Sequence, residues 1–466
     1  MDLLRENPSA SAPSTATVVA GLRRYFETGG TRTLEWRLRQ LEAVRRFLHD
    51  HAAELRQAMH EDLGKPEVEA QLEIAFAVYD LNHAIKNLAR WMKPQRVRTT
   101  LVAQPGRSWV RREPLGVVLI ISPWNYPLHL AVTPLVGAIA AGDCAILKPS
   151  ELAPHTSAVL ARRLPEYLDL GAFRVIEGGV PETTELLRER FDHILYTGNG
   201  RVAHVILEAA ARHLTPVTLE LGGKCPCLVD RKVNLELAAR RILWAKFLNA
   251  GQTCLAPDYV LVHQDVEEAL LERLQANLRK FFGSDPRKSR DYGRIINERH
   301  YRRLMDLMGS GEVVMGGTGD EADRYIAPTL LRNVPEDAPI MAEEIFGPLL
   351  PVLRVADMDE AITQVNRRPK PLALYLFSQD VAVQRRVMER TSAGGCTLNH
   401  VGFHMANLAL PFGGVGPSGM GAYHGRTSFE TFSHLKPVLR KPLRFDLPLL
   451  YPPHGDTLRR LLMRLV

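Results

Sequence analysis

Short apolar runs alternate with longer helical patterns along much of the chain, and this alternation limits the folds that the sequence can adopt. The continuously apolar runs are residues 117–121, 145–147, 173–176 and 194–196. Residues 130–141 and 201–213 have the apolar spacing of helices. Strands that are apolar on both faces must be covered on both sides. The pattern therefore predicts an α/β fold with a parallel sheet and helices on both of its faces.

A second series of strands and helices begins after Gly222. We expect strands at residues 227–229 and 259–262, a helix at 235–249, and the same alternation up to about residue 398. Cys254 then falls on the loop between that helix and the next strand. The glycine-rich tract at residues 411–419 suits neither a helix nor a central strand, so we expect it to form a loop that lines a site.

The segment before the first sheet is helical and amphipathic. Apolar residues recur every three or four positions from residue 34 to residue 59, and a second helix is expected at 68–92. The polar stretch at residues 93–107 contains two prolines and is expected to leave this first body.

Composition and charge exclude several classes of protein. With 466 residues, of which 45% are hydrophobic and 24% charged, the chain has material for two or three globular domains. The net charge is +7, but Lys and Arg are spread over helical faces, which argues against nucleic acid as a partner. The sequence contains no apolar run of membrane-spanning length and no signal peptide, so we expect a cytoplasmic protein with a mobile tip at residues 1–16.

The five cysteines argue against both a disulfide framework and a metal site. They are few for a chain of this length, which indicates a reducing compartment. No pair of Cys or His residues has the spacing of zinc ligands, so we predict no metal. Cys225 and Cys227 are interpreted as buried strand thiols.

Two short motifs carry residues for covalent chemistry. Cys254 ends Gly-Gln-Thr-Cys, and Glu220 begins Glu-Leu-Gly-Gly. A thiol can add to a carbonyl carbon, and a carboxylate can activate water to release the acyl group. Taken separately, an inert buried cysteine and a salt-bridged glutamate are the alternative interpretations. Together they predict a route through a thioester.

These motifs stand among others that make the chain resemble the aldehyde dehydrogenase family over residues 25–451. The shared strings are Pro-Trp-Asn-Tyr-Pro (123–127), Lys-Pro-Ser-Glu (148–151), Leu-Glu-Leu-Gly-Gly-Lys (219–224), Gly-Gln-Thr-Cys (251–254), Glu-Ile-Phe-Gly-Pro (344–348) and Leu-Pro-Phe-Gly-Gly (410–414). Further strings at residues 292–296, 325–329, 370–375 and 423–434 are similar to the class 3 branch, which oxidises fatty, medium-chain and aromatic aldehydes.

The resemblance implies catalytic roles for three residues. It makes Cys254 the nucleophile and Glu220 the base that activates water. It gives the side-chain amide of Asn125, with the backbone N–H of Cys254, the task of stabilising the oxyanion. From the sequence alone, Asn125 is equally well interpreted as a turn residue after Pro123.

The resemblance also implies NAD or NADP as the cofactor. Lys148 and Glu151 would face the adenosine ribose, and Thr197, Gly198 and Asn199 would open a helix whose N-terminal N–H groups face the pyrophosphate. Glu344 and Phe346 would lie at the nicotinamide-side ribose, although the residues alone suggest a surface acid and a core ring. Departures from the family pattern leave the choice of cofactor and the substrate range open. They are Asn199, Ala203, His204, His400 and Pro417.

The implied fold has two α/β domains, one Rossmann-like for NAD(P) and one catalytic, plus a small β oligomerisation segment. Its predicted parts are the NAD(P)-binding domain (17–92 and 115–218), the bridging segment (93–114 and 414–440), the catalytic domain (219–413) and a tail (441–466). Class 3 relatives pair through similar segments, so we expect a homodimer.

The tail has the pattern of a short basic amphipathic helix after Asp456-Thr457. Leucines and arginines alternate there at helical spacing. Docking on the protein's own surface and a weak peripheral membrane contact remain the two interpretations, and the small area favours the first. For the whole chain, two other functions stay open beside aldehyde oxidation to the acid: acyl transfer to coenzyme A, and a structural role in which the fold persists without turnover, as in crystallins.

Overall fold

The computed structural model describes residues 14–444 and 451–463. The α-helices are α1 (Thr15–Glu27), α2 (Leu34–Asp50), α3 (Ala52–Leu63), α4 (Glu67–Trp91), α5 (His129–Ala141), α6 (Pro154–Arg163), α7 (Val180–Leu186), α8 (Gly200–Ala211), α9 (Leu235–Phe247), α10 (Glu267–Phe282), α11 (Glu298–Met308), α12 (Pro339–Ala342), α13 (Met358–Asn366), α14 (Val381–Arg390), α15 (Gly425–Thr431) and α16 (Asp456–Met463).

The strands are β1 (Gln95–Val97), β2 (Arg107–Pro114), β3 (Val117–Ile121), β4 (Cys144–Lys148), β5 (Phe173–Val175), β6 (His193–Gly198), β7 (Val217–Leu221), β8 (Pro226–Val229), β9 (Tyr259–His263), β10 (Glu312–Met315), β11 (Gly319–Asp320), β12 (Tyr325–Ile326), β13 (Thr329–Arg332), β14 (Leu349–Val355), β15 (Ala373–Phe377), β16 (Gly395–Leu398), β17 (Gly419–Met420) and β18 (Ser433–Arg440).

The first sheet has six strands in the order β17-β7-β6-β3-β4-β5. All neighbours are parallel except β17, which pairs with β7 in the antiparallel sense. All residues of β3 and β4 are buried, as expected for strands with helices on both faces. The four apolar runs read from the sequence are thus strands of one sheet, and the predicted α/β fold is confirmed.

A second sheet of seven strands has the order β10-β13-β14-β9-β8-β15-β16. It is parallel apart from β10, which runs antiparallel to β13. Helix α9 lies between β8 and β9 in the chain, and the segment that carries Cys254 joins α9 to β9. The second α/β series predicted after Gly222 is therefore present as a separate sheet.

A third, antiparallel sheet consists of β1, β2 and β18. It contains the two outer parts of the predicted bridging segment, at residues 93–114 and 433–440. The part between residues 414 and 432 lies elsewhere: β17 joins the six-stranded sheet, and α15 packs against α4 and α5. β7 also crosses the expected boundary at residue 218, because its pairing with β6 continues to Leu221.

The N-terminal helices differ from the prediction in two places. The single helix expected at residues 34–59 is broken at His51 into α2 and α3. Both pack against α4, but α2 also packs against α5 whereas α3 packs against α6. Residues 15 and 16 of the expected mobile tip belong to α1, whose first turn is capped by the Ser14 hydroxyl at 3.3 Å from the Thr17 N–H. Residues 1–13 lie outside the described residues.

The tail forms the helix α16, in agreement with the predicted amphipathic segment up to Met463. The last part of that prediction, residues 464–466, lies outside the described residues. Within residues 14–444 and 451–463, no helix has both the length and the apolar character needed to cross a bilayer.

Candidate active site

The backbone before Cys254 adopts a conformation that L-amino acids seldom take. After α9 ends at Phe247, Asn249, Ala250 and Gly251 have φ angles of 51°, 51° and 77°. Left-handed conformations are strained for residues with a Cβ, so consecutive ones persist only where the surroundings hold them. The predicted helix at 235–249 stops early for this reason, and the turn leads to a loop in which Cys254 is half-buried.

Gln252 holds this loop through its side chain. Its Nε2 donates to the carbonyl oxygens of Asn249 at 3.0 Å and Arg294 at 2.9 Å. Its Oε1 accepts the N–H of Ile296 at 2.9 Å. Because the residue is only 1% exposed, water cannot replace these bonds. The Gln of Gly-Gln-Thr-Cys therefore fastens the Cys254 loop to the segment at residues 294–296.

Gly251 brings the Cys254 loop against a second loop, which consists of residues 343–348 between α12 and β14. A Cβ at Gly251 would lie 2.3 Å from the carbonyl oxygen of Gly347, a distance that no side chain tolerates. Since Gly347 belongs to the Glu-Ile-Phe-Gly-Pro motif, the two motifs are in backbone contact. Glycine is required at Gly251 by its positive φ and by this close approach.

Glu220 lies within strand β7, where it pairs with Thr197 of β6 on one side and with Gly419 of β17 on the other. This pairing on both sides holds the Glu220 backbone, so any movement of the carboxyl group requires side-chain rotation. The residue is 2% exposed, and its Oε1 has no hydrogen-bond partner among the described residues. Its carboxyl group contacts the thiol of Cys254.

Burial determines the protonation of this pair. Burial raises the pKa of Glu220 to about 7, and the hydrogen bond with Cys254 opposes this rise. Burial also raises the pKa of the Cys254 thiol well above its ordinary value, and the carboxyl groups of Glu220 and Glu344 raise it further. At neutral pH the site therefore contains a protonated thiol beside a carboxyl group that is partly ionised.

Asn125 lies on the loop between β3 and α5 and is 3% exposed. Its Nδ2 donates one hydrogen bond to the carbonyl oxygen of Gln252 at 3.1 Å. The next residue, Tyr126, shares a hydrogen bond of 2.7 Å between its hydroxyl and that of Thr253. An amide nitrogen has two N–H groups, so one remains for a ligand. The structure thus brings Asn125, Glu220 and Cys254 into one site.

Two buried side chains support the loop from behind. The thiol of Cys225 donates to the carbonyl oxygen of Cys254 at 3.3 Å, and the Tyr375 hydroxyl donates to that of Leu255 at 2.7 Å. Cys225 and Cys227 are both fully buried, as predicted for strand thiols. Cys225 additionally holds the backbone of the Cys254 loop.

Glu344 and Phe346 approach this site from the second loop. A Cβ at Gly222 would overlap the Glu344 carboxylate, and the Gly223 N–H donates to that carboxylate. Burial and the nearby carboxylate of Asp258 raise the pKa of Glu344 to about 8. The ring of Phe346 packs edge-on against Trp124 at 5.3 Å. Both residues are half-buried rather than a surface acid and a core ring.

The residues that hold the second loop were missed in the sequence. Lys224 pairs with Asp258 and donates to the carbonyl oxygens of Ile340 at 2.8 Å and Glu343 at 2.9 Å. Asp258 also accepts the N–H of Ile345 at 2.8 Å. Their partners are mostly backbone atoms, which leave no residue-type signal, although the charge of Lys224 within its motif was available as a clue.

The candidate cofactor residues lie at the carboxyl edge of the first sheet. Lys148 ends β4 and is 2% exposed, and its Nζ donates to Pro149 O at 3.0 Å and to Glu151 Oε2 at 3.2 Å. The Glu151 side chain is 46% exposed. A buried ammonium group and an accessible carboxylate therefore stand together, where open α/β sheets bind ligands.

At the same edge, β6 lies two strands from β4 and ends in Thr197 and Gly198, and Asn199 follows as the N-cap of α8. Asn199 Oδ1 accepts the N–H of Val202 at 3.0 Å, which leaves its Nδ2 available. The Tyr196 hydroxyl, which the sequence analysis did not single out, accepts the N–H of Asn199 at 3.0 Å. Ala203 is 2% exposed and faces the core, so its methyl group does not narrow this edge.

This edge has the features that a dinucleotide requires. The N-terminus of α8 is open, because a Cβ at Gly200 would meet nothing within 4 Å. Free N–H groups at a helix N-terminus suit a phosphate. Lys148 and Glu151 offer an ammonium group and a carboxylate for ribose hydroxyls, so the residues present fit NAD or NADP.

A sheet edge that suits a dinucleotide, together with a half-buried thiol and a buried carboxyl group, is the arrangement expected of an α/β dehydrogenase. The model of the aldehyde dehydrogenase family matches residues 3–438. The dimeric, NADP-preferring aldehyde dehydrogenase of Canis lupus familiaris is 50% identical over 94% of this chain and 97% of its own. Human aldehyde dehydrogenase family 3 member B1 is 49% identical, over 96% and 95%.

Among solved structures, the substrate-bound state of Staphylococcus aureus AldH has a TM-score of 0.95 and 42% identity, covering 98% of this chain and all (100%) of that one. The chain belongs to the aldehyde dehydrogenase family, as its motifs predicted. It is an enzyme that oxidises aldehydes with NAD or NADP.

Proposed function

We propose that Cys254 attacks the carbonyl carbon of the aldehyde while Glu220 receives the thiol proton. The contact between the Cys254 thiol and the Glu220 carboxyl group carries this proposal. Because the raised pKa of Cys254 keeps the thiol protonated at neutral pH, a neighbouring base must take the proton as the carbon–sulfur bond forms. The product is a thiohemiacetal on Cys254.

Asn125 stabilises the negative charge that develops on the aldehyde oxygen. One of its amide N–H groups is engaged with the carbonyl of Gln252, and the other is directed to the oxyanion together with the backbone N–H of Cys254. Removal of one such donor typically lowers turnover about 10²- to 10³-fold.

NAD or NADP supplies the hydride acceptor when it is bound. The residues proposed to hold it are Lys148, Glu151, Thr197, Gly198, Asn199, Glu344 and Phe346. Their support is the polar carboxyl edge of the first sheet, together with the contact of the second loop with the Cys254 loop. These residues orient the cofactor beside the thiohemiacetal, and the oxidised product is a thioester on Cys254.

Glu220 then acts a second time. After losing the proton taken from the thiol, its carboxylate accepts a proton from water as the water oxygen attacks the thioester carbon. The carbon–sulfur bond breaks, the carboxylic acid leaves, and the proton that Glu220 took from water restores the Cys254 thiol. A pKa of about 7 suits a group that must both accept and release a proton near neutrality.

The two other functions are not favoured. Acyl transfer to coenzyme A does not need a carboxyl group beside the thiol, yet Glu220 is there. A structural protein without turnover does not need a strained loop, held by buried hydrogen bonds, to present a thiol. The family relatives are named as aldehyde dehydrogenases.

The substrates that we propose are apolar aldehydes, either long-chain or aromatic. The support is a ring cluster that begins on α9, the helix that leads into the Cys254 loop. Trp244 packs against Phe403 at 5.7 Å, and Phe403 packs against His400 at 4.2 Å. Trp244 and Phe403 are 41% and 52% exposed, which leaves apolar surface for a substrate chain.

For assembly, we propose a homodimer that forms through the β1–β2–β18 sheet. Leu435 and Leu439 on β18 are about half exposed, at 49% and 50%, and Val97 on β1 is 43% exposed. A partner subunit would cover these side chains. The Canis relative is named as dimeric.

The tail helix α16 is proposed to dock on the protein's own surface, with weak peripheral membrane contact as the alternative. Its arginines at 459 and 460 are exposed, so the helix could also meet an anionic surface. Sedimentation with anionic liposomes, for the full chain and for a chain ending at Tyr451, separates the two. Equal sedimentation excludes the membrane contact.

The catalytic proposal is tested with hexanal, hexadecanal and benzaldehyde, each with NAD and with NADP. Cys254→Ala is expected to give no reduced cofactor, whereas the matched control Cys396→Ala keeps wild-type turnover because Cys396 lies on edge strand β16. Glu220→Gln is expected to give at most one burst of reduced cofactor and then to stall as the acyl enzyme. Steady turnover of Glu220→Gln would remove Glu220 from the role of base.

A further inference from the structure

We propose that a buried ion pair, Lys65 with Glu73, positions Asn125 for catalysis. Both side chains are completely buried, at 0% exposure, and neither belongs to a motif that carries the family resemblance. This inference rests on the proposed role of Asn125 as the oxyanion donor. Lys65 and Glu73 are positioning residues, because they act on the substrate only through Asn125.

Lys65 contacts the residue that it positions. Its Nζ donates to the backbone carbonyl oxygen of Asn125 at 3.0 Å and lies 4.4 Å from the centre of the Tyr126 ring. The same ammonium group is paired with Glu73. Charge-assisted hydrogen bonds are short and directional, so this contact restrains the position of the Asn125 carbonyl group.

Glu73 holds the other end of the same loop. Its Oε1 accepts the N–H groups of Leu128 at 2.8 Å and His129 at 3.0 Å, where α5 begins. One carboxylate thus neutralises Lys65 and caps the N-terminus of a helix. The loop from Asn125 to His129 is therefore fixed at both ends by a single buried pair.

The contacts that hold Asn125, here called the brace, extend to the Cys254 loop. Asn249 Nδ2 donates to the Asn125 carbonyl oxygen at 2.9 Å and to that of Gln252 at 3.2 Å. The Asn249 N–H donates to Glu69 Oε2 at 2.8 Å. Glu69 and Glu73 lie one helical turn apart on α4, so the start of that helix sets Asn125 and the Cys254 loop relative to each other.

The geometry indicates that the ion pair positions Asn125 for catalysis rather than only stabilising the fold. The Asn125 carbonyl oxygen accepts hydrogen bonds from two side chains, those of Lys65 and Asn249. The side chain of the same residue reaches the Cys254 loop through Gln252 O. Near-attack geometry tolerates little error, and a displacement of about 1 Å can lower turnover about 10²-fold.

The test removes both charges together, as Lys65→Met with Glu73→Gln, so that no unpaired ion stays buried. Stopped-flow measurement of the burst of reduced cofactor gives the acylation rate, and fluorescence titration gives the cofactor dissociation constant. We expect the burst rate to fall about 10²-fold. The cofactor dissociation constant is expected to change less than about threefold, since the cofactor edge is built from other residues.

A double-mutant cycle with Asn125→Ala separates positioning from support. If the pair acts through the Asn125 amide, neutralising it in the Asn125→Ala background costs less than about threefold, because the amide is already gone. An equal loss in both backgrounds would overturn the positioning role. A wild-type burst rate in Asn125→Ala itself would instead overturn the proposed function of Asn125, so the two failures are distinguishable.

If the Lys65→Met/Glu73→Gln variant does not fold, Asn249→Gly provides a second test that removes fewer interactions. Glycine accepts the φ of 51° at this position, and only the bridging amide is lost. We expect the burst rate of Asn249→Gly to be about tenfold lower than that of the wild type. In the Asn125→Ala background the same substitution should cause no such decrease. An unchanged rate would overturn the brace. Arg37→Met, which removes a buried cation bound to Thr31 O and Ala140 O, is the control for destabilisation alone.

Discussion

The Cys254 loop and the carboxyl edge of the first sheet are both proposed to bind reactants, yet they are built in opposite ways. In the loop, Gln252 makes three buried hydrogen bonds and Gly251 touches the backbone of the next motif. At the edge, Glu151 is 46% exposed and Gly200 borders open space.

The difference indicates how the work of the site is divided. The position of the thiol is determined by the protein before any ligand binds, which suits a covalent step. The cofactor edge keeps donors and acceptors that a dinucleotide completes, which suits a ligand that must leave after each turnover. Changes in the loop should therefore lower turnover, and changes at the edge should weaken cofactor binding.

The largest effect is expected for Gly251→Ala. The new Cβ would meet the Gly347 carbonyl oxygen at 2.3 Å, so the Cys254 loop must move. We expect kcat to fall at least about 10²-fold with little change in the KM for cofactor. The steady-state rates with hexanal provide the measurement.

Gly29→Ala is the matched control for this change. Gly29 has a similar φ of 76°, but its nearest neighbour is the flexible side chain of Arg32 at 3.8 Å. It should lose about 1–2 kcal/mol of unfolding free energy through backbone strain and keep full activity. If both alanine variants lose turnover equally, the contact with Gly347 is not the cause.

The second prediction concerns pH. Because burial raises the pKa of Glu220 to about 7, the base is protonated, and therefore inactive, below that pH. The deacylation rate should fall about tenfold per pH unit below about 7 and level off above it. The slow residual deacylation of Glu220→Gln should show no such dependence on pH; a dependence that survives would assign the ionisation to another group.

A third change tests the edge through Lys148→Met. Loss of the ammonium group should raise the KM for cofactor at least about tenfold, since a charge-assisted hydrogen bond contributes about 1.5–3 kcal/mol. Under saturating cofactor, kcat should stay near the wild-type value. A fall in kcat with an unchanged KM would place Lys148 with the thiol loop instead.

The smallest effect is expected for Glu151→Gln. This carboxylate would repel the extra phosphate of NADP by about 1 kcal/mol at a solvent-exposed position, so its removal should favour NADP over NAD about fivefold. The ratio of the two kcat/KM values measures this. The melting temperature should change little, because the side chain is 46% exposed and glutamine can still accept the hydrogen bond of Lys148.

Most of the fold could be predicted from the sequence because buried parallel strands leave continuous apolar runs. All four such runs lie in the six-stranded sheet. The break at His51 could not be predicted, because the apolar spacing continues through it and only the packing partners change. The pairing of β17 with β7 joins residues about 200 positions apart, which no local pattern reports.

The candidate site was predicted only where chemistry selects a residue type. Cys254, Glu220 and Asn125 stand in motifs, and the structure brings them together. Lys65, in the turn between α3 and α4, and Glu73, on α4, escaped notice because lysine and glutamate side chains are usually solvated. Their burial follows from the loop at residues 125–129 that packs against them, and apart from each other they bind backbone atoms.

The pairing of Gly419 with Glu220 has a consequence for how the enzyme is made. β17 supplies the last strand of a sheet whose other strands are complete about 200 residues earlier in the chain. A ribosome-bound chain that has not yet released Gly419 leaves β7 as an open edge, with the backbone beside Glu220 unpaired. The sheet edge beside Glu220 is therefore closed only once β17 has left the ribosome, long after β7 itself has been released.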